Sequence, residues 1–163
     1  MNGIQLAPMQ QTLQAIQEDP TLKLKKWSVH AAWQTGVKNQ VTIREFPPVI
    51  MDEPLPLGGT DEGPNPVEML IGAAASCYAI TFELLATQQG ITHHEVTAEV
   101  EANLNAAVFL GLEEGDGGIT DTVITLKAVT SADKAQVEEI ANAALGKSPV
   151  LASLKNNCRV VLA

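Results

Sequence analysis

An α+β fold with a largely antiparallel sheet is what this sequence predicts. Strand-like segments come in pairs joined by short turns, which makes them hairpins, and helical segments stand before, between and after the pairs. At 163 residues the chain has material for one domain, read as residues 1–163 with residues 1–20 as an N-terminal helical extension.

The elements follow in order. Residues 4–18 form a short amphipathic helix that ends at Asp19-Pro20. Residues 22–33 alternate and carry Trp27 and Trp33, which predicts a strand. Gln34-Thr35-Gly36 is the turn, and residues 37–46 alternate again as the second arm. Pro47-Pro48 stops the hairpin, and residues 49–53 form a third, edge strand. Pro54, Pro56, Gly58, Gly59, Gly63, Pro64 and Pro66 mark residues 54–66 as a loop that delivers the chain to a helix start. Asn65 is its N-cap, Pro66 its first residue and Glu68 its N3 residue, a capping-box variant. Val67, Leu70, Ile71, Ala74, Cys77, Tyr78, Thr81, Leu84 and Leu85 recur at helical spacing, and Gly90 ends the run. Apolar on most sides before Glu83, this helix is expected to be buried. Residues 92–105 and 119–130 alternate around an acidic glycine loop at 113–118, a second hairpin with one wet face. Ser131 is expected to cap a helix over 132–146. Ser148-Pro149 starts a short helix through Leu154, and residues 158–163 form a terminal strand.

Composition narrows the function classes. No uninterrupted apolar run reaches the roughly 18–20 residues that span a bilayer. The first twenty residues lack a basic segment followed by an apolar one, so an intracellular, cytoplasmic protein is expected. A net charge of −9 repels phosphate backbones and anionic lipid surfaces, which argues against nucleic-acid and membrane partners. Cys77 and Cys158 are too few for a disulfide scaffold and do not form a CxxC pair. No metal-ligand spacing, phosphate-binding glycine loop or serine-hydrolase elbow is present, so neither a metal nor a cofactor is expected.

Among the chemistry candidates, Cys77 has a plain reading as a small hydrophobe on an apolar stripe. Reactivity requires a stabilised thiolate, and Cys77 stands three turns into its helix, beyond the reach of the helix N-terminus. Glu68, nine residues earlier, points to roughly the opposite side, and its capping role explains it without catalysis. His93 and His94 are adjacent on a strand start, point to opposite faces and are expected to be exposed. His30 has no visible partner.

The run 57-LGGTDEGPNPVEMLIGAAASCYAI-80 resembles the signature of the OsmC/Ohr family, the osmotically inducible and organic hydroperoxide resistance proteins. The resemblance extends over about residues 27–163: Trp33 before a glycine turn, the acidic glycine loop and the late Ser-Pro-Val helix start stand in the family's order. It implies an intertwined homodimer whose sheets wrap two central helices. It also implies a thiol peroxidase that takes organic hydroperoxides at the dimer interface. Cys77 matches the peroxidatic position. Ser148, in 148-SPV-150, stands where the resolving cysteine is expected. Val67 holds the glutamate position of the most active peroxidases, and Glu68 matches the OsmC-like subgroup that reads Pro-x-Glu. Val37 or Lys38 holds the hairpin arginine position, with Arg44 further along. Lys38 brings charge there without the planar fork of a guanidinium. Cys158 is either a buried strand cysteine or a displaced resolving thiol.

The resemblance thus implies an OsmC-like hydroperoxide reductase in oxidative stress defence, with catalytic Cys77, Glu68 and Lys38 and an external thiol reductant. The alternative is a non-redox protein of the same fold that binds a small apolar ligand at the dimer interface, with Cys77 lining the pocket.

Overall fold

The computed structural model describes residues 1–154 and 158–162. The chain divides into two units, Gln5–Met69 and the chain from Leu70 onward joined by Met1–Ile4.

In the first unit, helix α1 (Leu6–Glu18) stops where Asp19 turns extended before Pro20. The Asp19 carboxylate accepts from the Thr21 backbone N–H and caps a 3-10 turn over Pro20–Lys23. Strand β1 (His30–Thr35) begins well after the predicted residue 22. Alternation alone does not make a strand; a ladder needs a neighbour. Strand β2 (Lys38–Thr42) pairs with β1 only as far as His30 opposite Thr42. Beyond it Arg44 turns to φ +49° and Pro47-Pro48 leads away, so the alternating residues 22–29 have no partner strand among the described residues. Strand β3 (Val49–Met51) adds antiparallel to β2, giving the order β1-β2-β3.

The loop after β3 is tied to Asp52. Its buried carboxylate accepts from the backbone N–H groups of Glu53 (2.9 Å), Thr60 (3.0 Å) and Glu62 (3.3 Å) and from Thr60 Oγ1 (2.6 Å). Gly59 is required there, because a Cβ at that position would lie 1.7 Å from the Glu53 carbonyl oxygen. Helix α2 (Pro66–Gln88) then starts with the predicted capping box: Asn65 Oδ1 accepts from the Glu68 N–H and Glu68 Oε2 from the Asn65 N–H, both at 2.8 Å.

The second unit holds most of α2, with Gly90 at φ +75° just past its end. Strands β4 (His93–Leu104) and β5 (Ile119–Thr130) form the predicted antiparallel hairpin, Val96 opposite Ala128 and Leu104 opposite Ile119. Their connection contains a short helix that the sequence pattern did not suggest, α3 (Ala106–Phe109), capped by Asn105. Helix α4 (Lys134–Lys147) is capped by Asp133, not Ser131: Asp133 and Gln136 close a full capping box, while Ser131 Oγ accepts from the Thr92 N–H. Helix α5 (Pro149–Ser153) follows, and strand β6 (Arg159–Leu162) joins β5 in parallel. Ala163, the last residue of the expected terminal strand, lies outside the described residues. The other strand pairings among the described residues are antiparallel, as expected.

One face of α2 lies in the core. Ala74, Tyr78, Phe82 and Ala86 cluster with Ile91, Ile124, Leu126, Ile140, Ala141, Ala144 and Leu151. The Tyr78 hydroxyl donates to the Ala141 carbonyl at 3.2 Å, the partner that a buried phenol needs. Asn2 ties the chain start to this unit: its amide donates to Thr87 Oγ1 and the Ile91 carbonyl and accepts from the His93 N–H. The helix is buried on one side only. Ala73, Ser76 and Ile80 face away from that core, Ile80 with 59% of its surface exposed. By length and mean hydropathy, 1.7 over its most apolar window, α2 is apolar enough to cross a membrane; here its inner face forms part of the protein's own core.

Candidate active site around Cys77

Cys77 is half-buried, on the flank of α2 between the core side and the exposed side. Ala74 and Tyr78, packed beneath it, anchor that stretch of the helix. The group that reaches its sulfur comes from the junction of α4 and α5. Ser148 is fully buried, and its hydroxyl donates to Cys77 Sγ at 3.1 Å.

Local sequence sets this junction. A proline disfavours helical geometry in the residue before it and suits the first position of a new helix. Ser148 therefore leaves the helix at ψ 115°, its N–H still closing α4 on the Ala144 carbonyl and its own carbonyl accepting from the Ala152 N–H to open α5. A serine in this N-cap position ordinarily accepts hydrogen bonds with its hydroxyl from the new helix. Ser148 makes no such cap bond, and its hydroxyl is turned to the sulfur instead. The nearby Thr81 hydroxyl donates to the Cys77 carbonyl at 2.7 Å, which engages it with backbone.

The other sequence candidates have partners of their own. Glu68 is held in the capping box of α2. Lys38, largely buried, makes an ion pair with Glu62 at 2.7 Å, which holds the Glu62 carboxyl below its ordinary range. Because the Glu62 N–H also binds Asp52, the Lys38 pair is fixed to the loop that Asp52 ties. Val37 is exposed, and the Arg44 guanidinium lies over the Phe46 ring, 4.7 Å from its centroid. Cys158 precedes β6 beside Thr122 on the core face of β5. Burial pushes its thiol up from the ordinary range, and a hydrogen bond with Thr122 partly offsets this. His94 and His30 are exposed. His93, expected to be exposed, is half-buried, and its Nδ1 lies buried with no hydrogen-bond partner among the described residues.

The structure thus brings Cys77 and Ser148 together. The sequence marked Ser148 as a helix start and as the place of an expected thiol, and gave no sign that its hydroxyl faces Cys77. The proline after it was the available signal, since it forces the break that aims the side chain. The Asp52–Thr60–Glu62 cluster and its link to Lys38 were also missed, since Asp52, Thr60 and Glu62 lie in a stretch without periodicity and Lys38 stands on β2, far from them in sequence.

Set beside known proteins, residues 59–163 match the OsmC-like protein family. The uncharacterized Bacillus subtilis protein YmaD is 36% identical over 72 residues, 43% of this chain and 48% of YmaD, so the match spans about half the length of that relative. Among solved structures, an OsmC-like protein from Mycoplasma pneumoniae superposes with a TM-score of 0.71 at 18% identity, covering 85% of this chain and 98% of that one. The organic hydroperoxide resistance protein OsmC from Legionella pneumophila superposes with a TM-score of 0.67 at 18% identity, over 85% and 97% of the two chains. These structures share the fold, the family match covers well over half of the chain, and the protein belongs to the OsmC-like family.

Proposed function

We propose that this protein is a thiol-dependent peroxidase that reduces organic hydroperoxides through Cys77 and takes its electrons from an external thiol. The contact between Cys77 Sγ and Ser148 Oγ carries this reading. It sets against the candidate nucleophile the very position at which the family resemblance expects a resolving cysteine, with oxygen in place of sulfur. The pairing of a hydroperoxide-attacking thiol with a group from the late helix is therefore kept, and only the internal disulfide is lost.

The chemistry follows from the thiolate. Its sulfur attacks the terminal peroxide oxygen, an S–O bond forms, the O–O bond breaks, and the alkoxide takes a proton and leaves as an alcohol. The sulfur, oxidised by two electrons, is a sulfenic acid. Ser148 cannot form a disulfide. A small external thiol therefore attacks the sulfenic sulfur and releases water, and a second thiol frees Cys77 as the external disulfide forms. In this reading Glu68 and Lys38 assist only by giving up their present partners, the Asn65 N–H and the Glu62 carboxylate. Cys158, whose thiol burial pushes up from its ordinary range, stays outside the cycle in this reading.

The working form in this reading is a cytoplasmic homodimer. Each unit leaves apolar surface uncovered: Ile80 and Leu70 on α2 in one, and Leu24, Trp27, Val29 and Trp33 in the other. A second copy of the chain would cover it, and light scattering at micromolar concentration should find a dimer.

The direct test is intact-protein mass spectrometry after one equivalent of cumene hydroperoxide, with a sulfenic-acid trap present. The expected product is trapped sulfenic acid at Cys77. Cys77→Ser abolishes hydroperoxide consumption, and Cys158→Ser leaves most of it. An inert Cys77 would end the peroxidase reading in favour of a non-redox protein that binds a small apolar ligand.

A further inference from the structure

We propose that Ser148 is a positioning residue for Cys77, a buried hydrogen-bond donor that selects the thiolate form of the sulfur and fixes its direction. The inference deepens the peroxidase reading and rests on Cys77 being its nucleophile. Three observations carry it. The Ser148 hydroxyl has Cys77 Sγ as its partner at 3.1 Å. Its side chain is fully excluded from solvent, so on the donor side water does not compete for that bond. The residue also sits at a helix N-cap, where its hydroxyl has backbone N–H groups to bind, yet it binds none of them.

A hydroxyl donates to a thiolate more strongly than to a thiol, because a hydrogen bond to a charged acceptor is the stronger kind. The hydrogen bond therefore favours the ionised sulfur, against the partial burial that disfavours it. The cationic side chains considered as activators have partners of their own: Lys38 is paired with Glu62, and Arg44 stacks on Phe46. The helix N-terminus lies three turns away from Cys77. The donor comes from the position at which the family resemblance expects a thiol. That position serves the nucleophile before oxidation, where a resolving cysteine would serve it afterwards.

The test compares alkylation of Cys77 by iodoacetamide across pH, read by peptide mass spectrometry, in the wild-type protein, Ser148→Ala and Ser148→Thr. In Ser148→Ala the Cys77 alkylation rate at neutral pH should fall about tenfold. Cys158, packed on the core, should keep its wild-type curve in the same sample and so reports that the fold is intact. Ser148→Thr keeps the hydroxyl and should restore the Cys77 curve most of the way. Superposable Cys77 curves for wild type and Ser148→Ala would overturn the proposal. So would a Thr variant that behaves like the Ala variant. If the rate falls as expected but the wild-type protein consumes no hydroperoxide, the peroxidase reading falls and the role of Ser148 stands.

Discussion

Ser148 Oγ lies 3.1 Å from Cys77 Sγ and joins a helix flank to a helix junction 71 residues away. Replacing that oxygen with sulfur should recreate a two-cysteine site. Ser148→Cys, treated with one equivalent of cumene hydroperoxide, should form a disulfide between Cys77 and the introduced thiol. It would be seen as the loss of two hydrogens in intact mass and as one linked peptide after digestion. Two thiols that remain unlinked would mean that the junction holds the side chains near each other but out of disulfide geometry.

Tyr78 is the chain's single tyrosine, so its ionisation can be followed alone by ultraviolet absorbance. Burial pushes its phenol up to about 12, from an ordinary value near 10. Because the folded value is the higher one, the neutral phenol stabilises the fold below about pH 10, and this contribution is lost as pH rises from there toward 12. Tyrosinate should therefore appear late, and together with loss of the far-ultraviolet dichroism. Titration near pH 10 in a still-folded protein would contradict the burial. Tyr78→Phe keeps the packing and removes the bond to Ala141, so it should cost about 0.5–1.5 kcal/mol in urea unfolding.

Asp52 has the opposite sign. Its bond with the Thr60 hydroxyl, more than its three backbone N–H partners, holds its carboxyl down at about 2, below an ordinary 3.8. The stability this lends is present above about pH 4 and is lost as pH falls through about 2. Asp52→Asn should lower Tm by several degrees at neutral pH and remove most of this acid-dependent loss. It should also loosen Glu62 from Lys38, readable as faster backbone exchange across residues 53–62. Exchange unchanged there would mean that the loop is held without Asp52.

Ile80 tests the proposed dimer. It is 59% exposed on the side of α2 away from the core. Ile80→Glu should convert the light-scattering mass from dimer to monomer while helix content is retained. A dimer undisturbed by a charge at this position would place the contact on another surface.

Local chemistry made the longest elements legible. The Asn65–Glu68 capping box placed the start of α2, and Gly90 placed its end. The alternation of residues 92–105 and 119–130 gave the β4–β5 hairpin almost to the residue. Reading failed where an element depends on a neighbour. Residues 22–29 alternate but have no strand beside them among the described residues. Ser131 has the chemistry of a cap, but Asp133 forms the better box and Ser131 serves Thr92 instead.

The sequence by itself determined the fold class, the family and the identity of the candidate nucleophile, because these rest on periodicity, caps and a contiguous motif around Cys77. Only the tertiary structure decided what meets that sulfur. Which polar group reaches a side chain is set by how distant segments pack, and neither the Lys38–Glu62 pair nor the turn of Ser148 toward Cys77 leaves a pattern in the order of residues.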